Sequence, residues 1–548
     1  MLCDLINERD AVLLFGGRNI SIDTSGSFSV VVDKTPPEAG FYPPGTTVNE
    51  INEFISAHPE KKKLMMRVDT IVRKDTENNF IAQTIRDTWP ELAKRLYFHV
   101  DLAGRLISNE DPELGNYLIK RASALFKGKP LKQTDEMWVE LGEKHDLDVV
   151  IGPIETYEDK LFGAKGSWMC AVMLRAPKEE TKTKSLVRMV QAVEATLPMK
   201  KKWMWRTKSS EEKEGERTAE RKNPVEMHLE VVDMIYAGGR VRTPSVGMAH
   251  NLPNDPVVKE KKGSRNHLFA NIIKEKMKVI IRPIGMKILH SSQQHLLSET
   301  GMMDHVMLHE LSHSLGPVYS DISKPIPSFA LPSLSSKQLT LQSQVPVREA
   351  LTDCFSSIEE CKADVVGQLF GWRVADGIVQ DLDAEKVPVI DRDEAMEMSA
   401  THLASLFRSI RFGLKSAHAK GSLIQLNWLM ENGAISLRVD GNEEEDENGN
   451  DAFIKSIRKN SNRFNRRKMR NGSSTSFDNL RLFIDFNRWK ASLNDLASIL
   501  LHIEGEGDKE AAKQLIDKYG SRLPDWVEFY LVQVDDVAID LNIHFNLD

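Results

Sequence analysis

The sequence is poor in cysteine and contains no long apolar run. Its 548 residues include four cysteines, Cys3, Cys170, Cys354 and Cys361, and no two of them form a Cys-x-x-Cys pair. We therefore expect neither a disulfide framework nor a thiolate zinc site, which fits a reducing compartment. No stretch of about 18 consecutive apolar residues occurs, so no membrane-spanning helix is expected.

A basic N-terminus and an excess of positive charge are also lacking. The opening MLCDLINERDAVLLF carries acids where a signal peptide would have a basic start and a clean apolar run. The net charge of −7 gives no general nucleic-acid footprint. We therefore expect a soluble cytoplasmic protein with neither nucleic acid nor a membrane as a partner.

The length and the hydrophobic content of 41% allow two to four domains. Strand-like runs such as LDVVIGPI concentrate before residue 190, whereas the pattern from about 270 to 435 is helical. The Gly/Pro-rich segment 236–255 predicts irregular backbone. We expect an α+β chain.

Two highly charged segments interrupt this pattern. Residues 208–222 read as a solvated loop or an exposed helix rather than an interaction site. Within 441–472, an acidic run is followed by the basic run RKNSNRFNRRKMRNG, which could bind nucleic acid but is more typical of a mobile surface insertion. Which partners these insertions bind, if any, stays open.

The segment MLHELSHSLGP, residues 307 to 317, contains the pattern HExxH. On a helix His309 and His313 lie one above the other and can offer two imidazole nitrogens to one ion, while Glu310 lies beside the metal as a general base. The pentapeptide also occurs by chance, so an ordinary amphipathic turn is the alternative. His305 extends the stripe, but three successive turns of one helix cannot all reach a tetrahedral ion. We therefore assign it to the surface or to the surroundings of the ligands.

The third ligand is predicted on the segment SSIEECKADVVGQLFG, residues 356 to 371. An apolar stripe indicates a helix, on which Glu360 and Asp364 share a face. Glu360 would bind the metal, and Asp364 and Glu359 would orient the ligating histidines. The alternative is a solvated acidic face, which the pairing with HExxH makes less attractive.

HELSH followed by EECKAD about fifty residues later resembles the zinc metallopeptidases of the dipeptidyl peptidase III family, in the branch with the five-residue motif. The blocks IGPIETYEDKLFGAKGSW, NLPNDPVVKEKKGSRNHLFANI and LFRSIRFGLKSAHAKGSLIQLNWLMENGA resemble family blocks in the family's order. The resemblance runs from about residue 41 to the C-terminus. It implies one Zn²⁺ per chain and short peptide substrates with a free N-terminus.

The resemblance also implies roles for five further residues. Glu155 would pair with the substrate's ammonium group, and Asn251 and Asn254 would hold its N-terminal portion. Tyr157 and His418 would stabilise the oxyanion. A structural role is the alternative for four of them: Tyr157 as a half-buried aromatic ring, Asn251 and Asn254 as turn-forming residues, and His418 as a helix histidine. Ser416 and Ala419 replace the family's usual glutamate and glycine around His418.

The fold implied by the resemblance has two lobes around a wide cleft, one mostly helical and carrying the zinc site, the other with a β-barrel core plus helices. The expected ranges are 1–190 and 226–280 for the mixed lobe, 191–225 for a charged insertion, 281–515 for the helical zinc lobe with its insertion at 441–472, and 516–548 for a C-terminal segment whose lobe stays open.

The predicted reaction removes dipeptides from the N-terminus of peptides. Glu310 would take the proton of an activated water molecule and return it to the leaving amine. A catalytically weak or inactive zinc-binding relative that acts as a peptide-binding or scaffold protein is the first alternative. A zinc hydrolase of non-peptide amides is the second.

Overall fold

The structure is a computed structural model that describes residues 40–156, 159, 161–204, 228–239, 247–321, 344–381, 389–411, 413–440 and 479–538. Both charged insertions, 208–222 and 441–472, lie outside the described residues, as does Tyr157.

Contacts divide the chain into two compact units. Of the described residues, those numbered between 40 and 180 and between 228 and 272 belong to unit 1, and those numbered between 181 and 204 and between 273 and 538 belong to unit 2. The domain ranges expected from the sequence stay a prediction.

Unit 1 combines helices with one large sheet and one hairpin. Its helices are α1 (Val48–Ala57), α2 (Lys62–Met65), α3 (Ile85–Thr88), α4 (Pro90–Ile107), α5 (Pro112–Lys127), α6 (Lys132–Leu141), α7 (Pro177–Glu194, which continues into unit 2), α8 (Pro256–Lys262) and α9 (Ala270–Lys276, which also continues). Its strands are β1 (Thr70–Lys74), β2 (Phe80–Thr84), β3 (Leu147–Glu155), β4 (Ser167–Arg175), β5 (His228–Gly239), β6 (Ala249–Leu252) and β7 (Arg265–Phe269).

The five-stranded sheet of unit 1 has the order β3-β4-β5-β7-β6. The β5–β7 pair is parallel and the other pairs are antiparallel. β3 coincides with the predicted strand LDVVIGPI. The expectation of irregular backbone throughout 236–255 is wrong at both ends, because β5 runs to Gly239 and β6 pairs with β7.

A buried charge cluster joins the neighbouring strands β5 and β7 of this sheet to β3. The Arg265 guanidinium donates to Glu230 at 2.6 Å and lies 2.7 Å from Asp148 Oδ2. His267 Nε2 lies 3.2 Å from the same Asp148 oxygen. Burial opposes charge on His267, but the two carboxylates outweigh it and raise its pKa. Asp148, Glu230 and His267 lie close enough together to hold a metal ion, yet Arg265 already supplies the compensating cation.

Unit 2 is mostly helical. Its helices are α10 (Arg282–Ile288), α11 (Glu299–Ser312), α12 (Val347–Leu351), α13 (Phe355–Ala375), α14 (Arg392–Ile410), α15 (Ala417–Glu431), α16 (Phe486–Glu506), α17 (Lys509–Leu515) and α18 (Asp525–Gln533). Its strands are β8 (Tyr319–Asp321), β9 (Gln344–Pro346), β10 (Ile435–Val439) and β11 (Leu480–Ile484), which form two antiparallel pairs. Short 3₁₀ or π turns occur in both units. Those of unit 1 are Pro59–Lys61 and Gly142–Lys144, and those of unit 2 are Lys201–Trp203, Met277–Ile281, Ser291–Leu296, Thr352–Cys354 and Ile516–Gly520.

Helix α13 is the centre of unit 2. It packs against α11, α14, α15 and α16. Every residue from Cys361 to Trp372 is buried, so the segment is not the helix with one apolar stripe that the sequence suggested. A helix that is covered on all sides belongs to a core. The reading of its acids as a solvated face is therefore wrong for Asp364, which is 9% exposed.

The predicted fold class is confirmed: the chain is α+β, with one mostly helical unit and one built on a β-sheet. Among the described residues, Cys170, Cys354 and Cys361 are buried and form no disulfide. Among the described residues, no helix combines the length and the apolar character needed to cross a membrane.

The charge cluster should make unit 1 sensitive to acid. Burial opposes ionisation of Glu230, but His267 and Arg265 outweigh it and lower its pKa from 4.5 to about 2. Because the folded-state pKa is depressed, this stabilisation is present above about pH 4.5 and is lost as the pH falls toward 2. We expect Glu230→Gln to lower the free energy of unfolding by about 3 kcal/mol at pH 7 and to flatten its acid dependence.

Urea denaturation at several pH values measures both effects. Glu91→Gln is the control, because Glu91 pairs with Lys94 at an exposed site and should change stability by no more than about 0.5 kcal/mol. Equal losses in the two variants would contradict a special role for the buried cluster.

Candidate metal centre

Helix α11 places His309 and His313 one turn apart. Ser298 caps its N-terminus, accepting the Gly301 N–H at 2.8 Å. The helix ends at Ser312, but His313 keeps right-handed helical angles, with φ −60° and ψ −25°. Both histidines therefore keep the predicted i, i+4 arrangement, and their Nε2 atoms lie 3.2 Å apart.

Helix α13 brings Glu360 to the two histidines. A Cβ at Gly367 would come within 3.0 Å of the His309 backbone nitrogen and of the Leu308 carbonyl carbon. Glycine is therefore needed for the backbones of α11 and α13 to approach this closely. The approach carries Glu360 Oε2 to 3.4 Å from His309 Nε2 and 3.8 Å from His313 Nε2.

These three side chains fit a tetrahedral zinc ion. Ligand atoms about 2.0 to 2.2 Å from such an ion are separated from one another by about 3.3 to 3.6 Å, close to the observed 3.2, 3.4 and 3.8 Å. Glu360 Oε2 is buried and has no hydrogen-bond partner among the described residues. A buried oxygen of this kind, facing two imidazole nitrogens, has the chemistry of a metal ligand.

The other nitrogen of each histidine is held by a carboxylate. His309 Nδ1 lies 2.7 Å from Asp364 Oδ1, and His313 Nδ1 lies 2.8 Å from Glu359 Oε1. Burial opposes protonation of His309, but Asp364 outweighs it and raises the pKa well above its usual value. When Nδ1 carries the proton, Nε2 keeps its lone pair for a metal.

A buried lysine supports the carboxylate of Glu359. Lys362 Nζ lies 2.9 Å from Glu359 Oε1 and donates to the Leu315 carbonyl at 2.9 Å, just beyond the HExxH helix. Glu504 lies in the same interior region. Burial raises its pKa well above the usual range, and the negative charge of Glu359 adds to the rise. Lys362 supplies the positive charge that balances Glu359.

His418 lies beside the three ligands. Its Nδ1 is 3.3 Å from Glu360 Oε2, and its side chain is 61% exposed. Ser416, one of the two departures from the family pattern, has a local function: its hydroxyl caps α15 by accepting the Ala419 N–H at 3.1 Å. His418 consequently sits in the first turn of α15, and Ala419 is fully buried.

Access to solvent differs along the HExxH helix. Glu310 is half-buried, whereas every other residue from Gly301 to Ser312 is buried. The side chain of His313 is 32% exposed and that of Glu360 is 22% exposed. Within unit 2, the candidate ligands and Glu310 are thus reachable from solvent, as a catalytic rather than a purely structural metal site requires.

The residues predicted to bind substrate lie in unit 1. Glu155 ends strand β3, and Asn251 lies on β6, paired in register with Asn266. Asn254 donates through Nδ2 to the Ile154 carbonyl at 3.0 Å, which places it next to the end of β3. Asn254, Ile154 and Thr156 help to line a cavity of about 370 Å³. The roles of these residues stay predictions.

The sequence did not reveal several residues around the ligands. Of the two places that the sequence left open for His305, the structure selects the surroundings of the ligands: the side chain is buried, and its Nε2 lies 3.1 Å from His402 Nδ1. Gln425 donates to Asp364 Oδ2 at 2.9 Å. His402 and Gln425 lie outside any metal-binding spacing, whereas the i−4 position of His305 and the i+3 spacing of Lys362 from Glu359 each offered a signal.

The chain resembles known proteins across these elements. The sequence profile of Peptidase family M49 matches residues 127–455, more than half of the chain. The structure of DPP III from Caldithrix abyssi is 26% identical, with a TM-score of 0.74, and covers 97% of this chain and 85% of its own. Dipeptidyl-peptidase III from Corallococcus sp. strain EGB, at 24% identity and a TM-score of 0.67, shares the fold over 99% of this chain and 87% of its own.

A curated relative, Nudix hydrolase 3 of Arabidopsis thaliana, is 26% identical over 505 residues. The alignment covers 88% of this chain and 54% of the relative, so the chain spans about half the length of that protein.

The geometry predicts which side chains hold the metal. We expect His313→Ala and Glu360→Gln each to reduce bound zinc from about one ion per chain to nearly none. A site built from three residues loses most of its affinity for the ion when any one of the three is removed. His418→Ala should keep the ion. Elemental analysis after dialysis against a buffered zinc concentration measures this. Loss of zinc from His418→Ala, with retention in His313→Ala, would contradict the assignment.

Proposed function

We propose that this chain, which belongs to peptidase family M49, is a zinc-dependent exopeptidase that releases dipeptides from the N-terminus of short peptides. The observation that carries the proposal is the convergence of His309 Nε2, His313 Nε2 and Glu360 Oε2 within 3.8 Å, with both Nδ1 atoms held by carboxylates. Short peptides with a free amine as substrates, and the cytoplasm as compartment, belong to the same proposal.

Zinc bound to these three side chains would supply a Lewis acid that polarises the scissile carbonyl and makes a water molecule more acidic. Glu310 follows His309 directly and is half-buried. As the general base, it accepts the proton of the attacking water and delivers it to the leaving amine. His418, with its exposed ring beside Glu360, donates to the oxyanion, and Tyr157 is proposed for the same task.

An enzyme that counts residues from the N-terminus must bind the free ammonium group. Glu155 is proposed to pair with it, since a carboxylate forms a charge-assisted hydrogen bond with an ammonium ion. Asn251 and Asn254 are proposed to bind the first residues of the peptide through their amides. Both are exposed, and Asn254 is anchored to the Ile154 carbonyl. The support for these three roles is the resemblance of their segments to family blocks.

Glu310→Gln should abolish turnover and keep the metal. We expect kcat to fall by about 10² to 10⁴, because an amide cannot accept the proton, while zinc content stays at the wild-type level. Glu299→Gln is the matched control, since Glu299 lies at the exposed start of the same helix. A Glu310→Gln variant with normal turnover would contradict the role of general base.

Products from a mixed peptide library identify the reaction. We expect mass spectrometry to find two-residue fragments from peptides with a free amine, and none from the same peptides after N-terminal acetylation. Single amino acids or internal fragments would contradict dipeptide release. Peptide binding by the zinc-loaded chain without any product would instead support a peptide-binding relative.

A further inference from the structure

Behind the candidate metal centre, a continuous row of hydrogen-bonding side chains crosses the core of unit 2. Four of its members are fully or almost fully buried: Gln368, Ser399, His402 and Gln425. The row begins at Trp372 on α13, passes through residues of α14, α11 and α15, and ends at Asp364 on α13, which faces His309 Nδ1. Among the described residues, the hydrogen-bond partners of these four side chains are Trp372, His305, Asp364 and one another rather than the predicted ligands.

The row has an end that can only accept hydrogen bonds. Asp364 as a carboxylate has no proton to donate, so Gln425 must present its amide N–H₂ to Asp364 Oδ2, at 2.9 Å. The Gln425 carbonyl oxygen then faces His402 Nε2 at 2.8 Å. A carbonyl can only accept, and therefore His402 carries its proton on Nε2.

The same logic continues to His305. With the proton of His402 on Nε2, its Nδ1 is an acceptor, and the facing His305 Nε2, 3.1 Å away, must donate. His305 Nδ1 is then an acceptor for the Gln368 amide at 3.4 Å. Burial lowers the pKa of both His305 and His402, in agreement with two neutral rings.

The far end of the row can only donate. Trp372 Nε1 donates to Ser399 Oγ at 3.0 Å. The Ser399 hydroxyl in turn lies 3.1 Å from the Gln368 carbonyl oxygen. An indole N–H has no acceptor capacity. The Ser399 hydroxyl also lies 2.9 Å from the Ala395 carbonyl oxygen, and it has one proton for the two acceptors. When it donates to Gln368, all hydrogen bonds of the row point one way, from Trp372 toward Asp364.

We propose that His402 and Gln425 are positioning residues for the metal centre, which hold the Asp364 carboxylate so that it receives the Nδ1 proton of His309 and leaves His309 Nε2 free for the metal. The inference rests on the proposed function in one respect, that His309 is a ligand. It assigns a role to two residues that no metal-binding spacing marks.

A metal ion is the competing explanation for part of this row. His305, His402 and Asp364 lie close enough together to hold one. However, the 3.1 Å between the two imidazole nitrogens is a hydrogen-bond distance. His402 Nε2 and His305 Nδ1 also have their own partners. We therefore infer a hydrogen-bonded support and not a second ion.

Zinc affinity tests the positioning role. We expect Gln425→Met to weaken zinc binding by about 10- to 100-fold, because removal of an outer hydrogen-bond partner of a metal site has an effect of this size. We expect His402→Phe to weaken zinc binding as well. Competition with a chromophoric chelator measures the dissociation constant. Gln425→Glu, which keeps the acceptor facing His402 but loses the amide donor, should be at least as harmful as Gln425→Met.

The matched control is Asn427→Met. Asn427 lies on the same helix and donates to the Tyr519 carbonyl at 2.7 Å, outside the row. Its loss should leave zinc affinity unchanged. Equal weakening in Gln425→Met and Asn427→Met, or no weakening in either, would overturn the inference, because the effect would then come from the fold of α15 or be absent.

A second measurement does not depend on a variant that folds. Long-range ¹H–¹⁵N spectra of the metal-free wild-type protein distinguish Nδ1–H from Nε2–H imidazoles. We expect His305 and His402 both as Nε2–H tautomers; an Nδ1–H or cationic form of either would overturn the inference. A wild-type chain with these tautomers that releases no dipeptides would contradict the proposed function alone.

Discussion

The hydrogen bond between His309 Nδ1 and Asp364 Oδ1, at 2.7 Å, is the constraint on which the candidate metal centre depends. An imidazole can offer one nitrogen to a metal only when the other holds the proton. Asp364 enforces this division, but only if α13 lies close enough to α11 to reach His309. The contact at Gly367 makes that distance possible, and it brings Glu360, four residues before Asp364, to the same imidazole.

The two units bury carboxylates in opposite ways. In unit 1, Arg265 lies between Asp148 and Glu230, so the charges are balanced within the protein. In unit 2, Glu360 Oε2 faces imidazole nitrogens at 3.3 to 3.8 Å and accepts no hydrogen bond from a described residue. A buried carboxylate oxygen without a donor is costly unless a cation joins it. This contrast separates a structural cluster from a candidate ligand set, although both contain histidine and carboxylates within the same short distances.

Each candidate histidine ligand contacts a carboxylate, and that carboxylate is in turn held by a buried side chain. On the side of His313, Glu359 is held by Lys362, which also ties the carbonyls that follow the HExxH helix. On the side of His309, Asp364 is held by Gln425 and, through it, by His402. The half-buried Glu310 and the exposed His418 lie on the side of the candidate site that faces solvent within unit 2. The candidate ligands are held by buried hydrogen-bond partners on one side and are open to solvent on the other. Such an arrangement suits a reaction in which the ligands must stay fixed while the substrate changes.

The sequence by itself determined the ligand pattern, because helix periodicity places His309 over His313, and Glu360 on one face with Asp364. It also indicated the α+β class and the family. Only the tertiary structure decided that Asp364 is buried, that His305 is interior, and that Gln425 contacts Asp364, His402 contacts Gln425 and Lys362 is buried beside Glu359. His402 and Gln425 lie on helices that are distant in sequence from HExxH. Their contacts form only when the helices pack around α13. A local sequence pattern does not show which side chains then come into contact.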